Sequence, residues 1–332
     1  MLPPMPGSGI SRHRRWRLLT LLPLTLLPLG CSAGGDGEEI TLYTCVSDET
    51  IQPIISGFES DNDGSEVKLF RAPTGDLNAR VAGDVRSGGL KADVIWGCDP
   101  LTMQGYVDQD LVGGWSPEGA ADIPEQFRTD DYVGVAVLYM VAVYQDGAPA
   151  PSSWSDLAGT DYDSVAVSDP NVAASALGAL GYFSQEPDYG LDFYSTLEEQ
   201  GAQQVGTPDE VTAGVAQGAY DAGITIANSA YLAKDSGSPI DIVWPEPGAI
   251  AIYGPIALAT DSADSTLAKD FISYVVSEAG QQVVAEAGSY PTLPGVEGPE
   301  IPADAPVVYP DWPKIDATKD SLLSDYEQIF GG

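Results

Sequence analysis

Two cysteines and two aspartates stand where chemistry would be looked for first. The runs EITLYTC and KADVIWGC are short, apolar and strand-like, and they end in Cys45 and Cys98. Asp48 follows shortly after the first cysteine and Asp99 directly after the second. Thiols at two strand ends are either chemical, as soft metal ligands, or structural. Two carboxylates could run acid–base or glycosidic chemistry. The single histidine, His13, narrows this, because it lies in a stretch that reads as a leader. The remainder of the chain has no histidine, which excludes Ser-His-Asp and Cys-His mechanisms and the common histidine-based metal sites. Carboxylate chemistry at Asp48 and Asp99 stays open as a minor reading.

The leader is a basic block, Arg12, Arg14, Arg15 and Arg17, followed by LLTLLPLTLLPLG and Cys31. Residues 1–30 are expected to be a signal peptide. Pro23 and Pro28 interrupt an apolar run already too short to span a bilayer. The sequence PLGC resembles a lipobox, so Cys31 is expected to carry a lipid anchor, with a plain secreted protein as the alternative. RRWRLL leaves general and twin-arginine export both open. Residues 31–37, small and polar, form a tether. Without the four leader arginines, 10 basic residues face 49 acidic ones, a net charge near −39. Such a surface excludes nucleic acid as a partner, since that requires a basic footprint.

Elements that could position these residues alternate along the chain. After ITLYTC comes a helical pattern, ETIQPIISGFES, then a strand, SEVKLFRA, then PTGDLNARVAGDVRSGG, in which Leu77, Val81 and Val85 recur at four-residue spacing. ADVIWGC is a third strand. DYVGVAVLYMVAVYQ is a long apolar β-rich run, DSVAVSDP a further strand, and Thr207 with Glu210 marks the start of a helix. Strands alternating with helices imply βαβ units and a parallel sheet.

The order of LYTCVSDETIQPIISGFE, RAPTGDLNARV, ADVIWGCDPLTMQGYVDQDLV, PSSWSDLAG, VAVSDPNVAAS, GVAQGAYDAGITIANSAYLAK, WPEPGAIAIYGPIAL and AKDFISYVVSEAGQQVVAEAGSYPTLPGV resembles a type 2 periplasmic solute-binding protein of an ABC importer. Within that group it is similar to the ferric-ion-binding branch and its phosphonate- and thiamine-binding relatives. The resemblance implies an α/β fold of two lobes, each a mostly parallel sheet flanked by helices, joined by two crossing strands. Lobe 1 is expected over 38–137 plus 258–332 and lobe 2 over 138–257. It also implies a monomer outside the cytoplasmic membrane that delivers a small ligand to a permease and its ATPase. No enzyme activity and no resident cofactor are implied. The second functional reading is a sensory module presenting its ligand to a membrane receptor kinase.

Ligands of open α/β sheets bind beyond the carboxyl ends of the strands. That rule puts Ser47 and Asp48, Thr74 and Gly75, and Asp99 on the lobe 1 side, and Ser168, Asn171 and Ser175 on the lobe 2 side. Each is also an ordinary capping residue. Asn228, Tyr231 and Tyr253 complete the expected set. In the ferric-binding branch two adjacent tyrosines bind iron; here the pair reads Ala230–Tyr231, and Ser47 stands where a histidine is frequent. A bound ferric ion would therefore rest on Tyr231 with other oxygens, and at least two usual ligands are gone. A phosphonate meets no Lys or Arg between Val141 and Ala233, with Arg71 and Arg80 the lobe 1 candidates. A cationic or zwitterionic solute suits the overall charge, with Trp96, Trp244, Tyr231 or Tyr253 as stacking surfaces. In the implied sheet Cys45 and Cys98 end neighbouring parallel strands about 4.8 Å apart, so a disulfide is expected, with free thiols as the rival.

Overall fold

The structure, a computed structural model, describes residues 38–331. The expected signal peptide, Cys31 and the tether lie outside the described residues. The chain runs β1 (Glu39–Thr44), α1 (Asp48–Asp61), β2 (Glu66–Arg71), α2 (Thr74–Arg86), β3 (Val94–Trp96), α3 (Pro100–Val107) and β4 (Val133–Gln145). It continues through α4 (Trp154–Leu157), β5 (Val165–Ser168), α5 (Ala174–Gln185), α6 (Asp192–Glu199), β6 (Gln203–Val205), α7 (Pro208–Ala216), β7 (Ala222–Ile226), α8 (Ala227–Asp235) and β8 (Ile240–Val243). It ends with β9 (Ala249–Leu258), α9 (Thr266–Val276), α10 (Glu278–Glu286), β10 (Tyr290–Pro291), β11 (Val307–Val308) and α11 (Trp312–Phe330).

One sheet threads the molecule in the order β2-β1-β3-β9-β4-β7-β5-β6. Its two ends are parallel: β1 pairs with β2 and β3, and β5 pairs with β6 and β7. Between them β4 and β9 run antiparallel to each other from Val133↔Ile256 to Met140↔Ile250, with a bulge at Gly134/Ala136. They are the two crossing strands of a two-lobed fold. Every residue of β9 is buried, as is nearly all of β4. That explains why both read as continuous apolar runs rather than alternating ones.

Helices form where local signals place them. In α2, Leu77 and Val81 are buried, but Val85 is 41% exposed, so the apolar stripe stops one turn before the helix does. Thr207 caps α7 by accepting from the Glu210 N–H. The C-terminal helix departs from the expected division of the chain. Its Leu322 and Tyr326 pack in the core cluster of the second lobe, against Tyr194 of α6, and Ile315 meets Leu177 of α5 and Leu101 of α3. The 258–332 segment assigned by sequence to lobe 1 thus ends on lobe 2. The physical reason is a small-residue face on α5: a Cβ on Gly181 would sit 2.5 Å from Ile315 Cδ1, so only glycine lets α11 lie that close.

Candidate functional site

A cavity lies between the lobes at the carboxyl ends of the parallel strands. From the first lobe it is walled by Cys45, Val46, Ser47 and Thr50, by Arg71, Pro73 and Thr74, and by Trp96, Gly97 and Cys98. From the second come Val172–Ser175, Thr207–Asp209, Ile226 and Asn228. Ala136, Leu138 and Gly254 of the crossing strands form its floor, and Ser289 closes one edge. At Gly254 a Cβ would stand 2.8 Å from Gly97 O, so the floor can approach the end of β3 only without a side chain.

Of the residues expected from the strand-end rule, Ser47, Thr74 and Ser175 line this cavity, and Asn228 lines it with them. Arg71 joins them, its guanidinium donating through Nε to Val46 O at 2.9 Å and standing 3.8 Å from the exposed Asp48 carboxylate. Arg80 is turned elsewhere: it pairs with Asp84 at 3.0 Å and lies over the rings of Tyr43 and Phe70.

Other expected residues do not line the cavity. Asp48 points to solvent beside Arg71. Gly75 lies just outside, at a contact between lobes. Asn171 is exposed and bonded to Asp169. Ser168 is buried at the end of β5 with no partner for its hydroxyl. Asp99 is fully buried as the cap of α3, accepting from the Thr102 N–H at 2.8 Å, and burial pushes its carboxyl up from the usual range. Tyr231 accepts from Trp244 Nε1 at 3.1 Å, in a cluster where Trp244 meets Tyr139 and Tyr290. Tyr253 is buried between Phe127 and Trp312, and burial raises its hydroxyl far above the ordinary range. The tyrosines and the aspartates expected to meet an iron atom thus lie apart from the cavity. Aspartates and tyrosines serve equally well as caps and core, and type alone cannot separate those uses.

Thr50, Ser289, Pro208 and the floor residues were missed. For Pro208 a signal existed: Thr207 starts a helix directly after a strand, the same pattern as Thr74. Ser289 has none, because it reaches the cavity from the end of α10.

The expected bridge is present: Cys45 and Cys98 are disulfide-bonded with Cα atoms 5.9 Å apart. Their strands pair in register, Thr44↔Trp96; Cys45 follows that pair by one residue and Cys98 by two, and both stay within bonding reach. The bond ties the loop that starts α1 to the loop that ends β3, in the cavity wall.

The electrostatics follow from helix ends. Ser47 precedes α1, Thr74 and Ala174 begin α2 and α5, and Asn228 is the second residue of α8; none of these helices has a side-chain cap bond at its N-terminus. A fifth helix start in the wall, α7, is capped by Thr207; away from the cavity α3, α9, α10 and α11 are capped by Asp99, Ser265, Ser277 and Asp311, and α6 is not. Uncapped first-turn N–H groups carry partial positive charge and seek acceptors. Two buried polar atoms in the wall also lack partners: Trp96 Nε1, a donor, and Asn228 Oδ1. The one carboxylate in the wall is the exposed Asp209. The molecule's large negative charge is therefore on its outer surface, and the cationic-ligand argument drawn from it does not describe the cavity. Among the described residues no cluster of three or more His, Cys, Asp or Glu could hold a metal ion.

The chain thus has two lobes, two crossing strands and, at the strand ends, a mainly apolar cavity with a few polar groups in its wall. Residues 40–289 match the family model described as bacterial extracellular solute-binding protein, and the chain belongs to that family. It is 27% identical over 125 residues to the spermidine/putrescine-binding periplasmic protein of Escherichia coli (strain K12), a match covering 34% of this chain and about a third (35%) of the length of that relative. Among solved structures it is similar to the periplasmic binding protein AfuA from Actinobacillus pleuropneumoniae with exogenous fructose-6-phosphate bound: TM-score 0.80, 17% identity, 89% of this chain and 99% of that one. Iron-bound HitA from Pseudomonas aeruginosa superposes with TM-score 0.74, 20% identity, over 87% of this chain and 99% of that one. These two likenesses show the fold. No described helix is long and apolar enough to cross a membrane.

Proposed function

We propose that this protein is the exported receptor of an ABC importer and that its ligand is a small organic anion, of the phosphonate or phosphate-ester kind. The observation that carries the ligand class is the set of helix N-termini without side-chain caps lining one cavity, those of α1, α5 and α8 and, less its Gly75 N–H, which is given to Val172 O, that of α2, with Arg71 as the cation. Each such terminus favours an anion by about 0.3–1 kcal/mol when exposed and by up to about 2 when partly buried. Hydroxyls of Ser47, Thr74 and Ser175 add donors without adding charge, and Trp96, Leu138, Val172 and Ile226 suit an apolar body. This arrangement needs no lysine from the second lobe, which removes the objection raised by its lack of basic residues.

Iron as cargo is less well supported. A ferric ion wants several anionic oxygens, and Asp48, Asp99, Tyr231 and Tyr253 are engaged elsewhere. A polyamine, the ligand in the name of the E. coli relative, would need carboxylates where this wall has one, exposed. In this reading a lipid on Cys31 tethers the receptor to the outer face of the cytoplasmic membrane. Ligand favours the closed arrangement of the lobes, and the closed receptor docks on its permease and ATPase as a monomer.

The test is thermal unfolding and calorimetry against a panel of inorganic phosphate, aminoalkylphosphonates, sugar phosphates, ferric citrate and putrescine. Stabilisation by one of the phosphorus anions, weakened in Arg71→Ala, is expected. Stabilisation by putrescine or ferric citrate alone would overturn the anion assignment.

A further inference from the structure

The lobes touch at a point that no ligand would occupy. Gly75, the second residue of α2, donates its N–H to Val172 O at 3.1 Å. Val172 lies in the turn between β5 and α5, so this bond spans the cleft. The approach is very close: a Cβ on Gly75 would stand 2.7 Å from Asn171 O and 3.4 Å from Val172 Cα. The turn cannot yield cheaply. Asp169 N–H is bound to Val205 O at 2.8 Å, Val172 and Ala173 N–H to Asp169 O at 3.1 and 2.9 Å, and Asn171 N–H to the Asp169 carboxylate at 2.8 Å. Helix α2 also presents its positive end to the carbonyls of Asn171 and Val172, a favourable alignment. At the opposite rim, Leu232 of α8 lies 3.8 Å from where a Cβ of Gly288 would be, an ordinary contact rather than a close approach, and Gly288 is held as glycine by its backbone (φ +80) instead.

We propose that Gly75 and Val172 form a clasp that holds the lobes closed without help from ligand, and that Gly75 is the positioning residue whose missing side chain permits closure. The clasp sets how much of the protein is closed before ligand arrives. A methyl group at position 75 then opens the cleft, and the apparent affinity for any ligand that needs the closed state falls by the fraction of closed protein lost. The inference rests on the fold and not on the ligand class.

The experiment is made on ligand-free protein. Gly75→Ala is compared with Gly83→Ala, in the same helix, where a Cβ would meet nothing nearer than Arg86 Nη2 at 3.9 Å. Both replacements put the same methyl on the same helix, and only that at position 75 meets the clasp. Small-angle X-ray scattering should show a larger radius of gyration for Gly75→Ala and an unchanged one for Gly83→Ala, with Gly83→Ala unfolding at or above the wild-type temperature and Gly75→Ala still unfolding in one cooperative step. In the wild type, the Gly75 amide should exchange with deuterium at least roughly tenfold more slowly than exposed amides of the same helix surface. Equal radii for Gly75→Ala and wild type would overturn the proposal. So would rapid exchange at Gly75 in the wild type, a measurement that needs no variant and holds even if Gly75→Ala fails to fold.

Discussion

Removing the Cys45–Cys98 bridge should cost stability that can be worked from its position. The bond closes a loop across 53 residues. On the chain-entropy relation a loop of that length withholds about 14 cal/mol/K from the unfolded chain, or about 4 kcal/mol at 25 °C. Cys45→Ser with Cys98→Ser should therefore lower the folding equilibrium constant by about a thousandfold, at 1.4 kcal/mol per factor of ten. The parent strands already pair in register at Thr44↔Trp96, so the native geometry survives and most of the loss is expected to come from the unfolded state. The assay is equilibrium unfolding in urea, for wild type and double variant, each with and without reductant. The wild type should lose its advantage when reduced, and the variant should be indifferent. Coincident urea midpoints for oxidised wild type and variant would refute the reasoning. Because both cysteines wall the cavity, the variant should also bind ligand more weakly.

Three further outcomes follow from single residues. Burial raises the Asp99 carboxyl above its ordinary value. A carboxyl whose folded value is raised penalises the folded state once ionised, so Asp99 should cost stability progressively as pH rises from about 4, the unfolded value, through its folded value; Asp99→Asn should gain on the wild type over that span in urea midpoints at pH 4 and 7, and a relative loss would contradict the sign. Asn228→Leu removes a buried amide oxygen with no partner, so it should leave ligand-free stability equal or better while weakening binding roughly tenfold, the worth of about one hydrogen bond; calorimetry against the best phosphorus anion checks this. Gly181→Ala places a Cβ 2.5 Å from Ile315 Cδ1, so overpacking of about 1–3 kcal/mol should outweigh the helix-propensity gain and lower the melting temperature by several degrees.

Much of the fold is legible in the chain itself. The runs that became β1, β2, β3, β4 and β9 are apolar stretches of strand length, and α7 announces itself by Thr207 and Glu210. Half of each site argument is legible too: Ser47, Thr74 and Ser175 could be assigned to strand ends facing a cleft. Their neighbours could not be sorted. Asp99 and Thr74 follow the same strand-then-helix pattern, yet the carboxylate turns inward to cap α3 while Thr74 lines the cavity. Val85 continues an apolar stripe and is nonetheless exposed. The cap partner of Asp99, Thr102, is local, but whether either position is buried depends on segments far away in the chain.

Taken by itself, the sequence determined the alternation of strands and helices, the two long crossing runs, the lack of histidine after His13 and the cysteine positions. These depend on periodicity, capping and residue type within a few neighbours. Tertiary structure alone decided which helix starts share one cavity, which are left uncapped there, and that the acidic residues lie outside it. It also decided that α11 crosses to the second lobe and that Gly75 meets Val172. Those facts require segments such as 45–50, 71–75, 172–175 and 254 to be brought together. Only close packing across the two crossing strands does that, and it depends on where single side chains are missing.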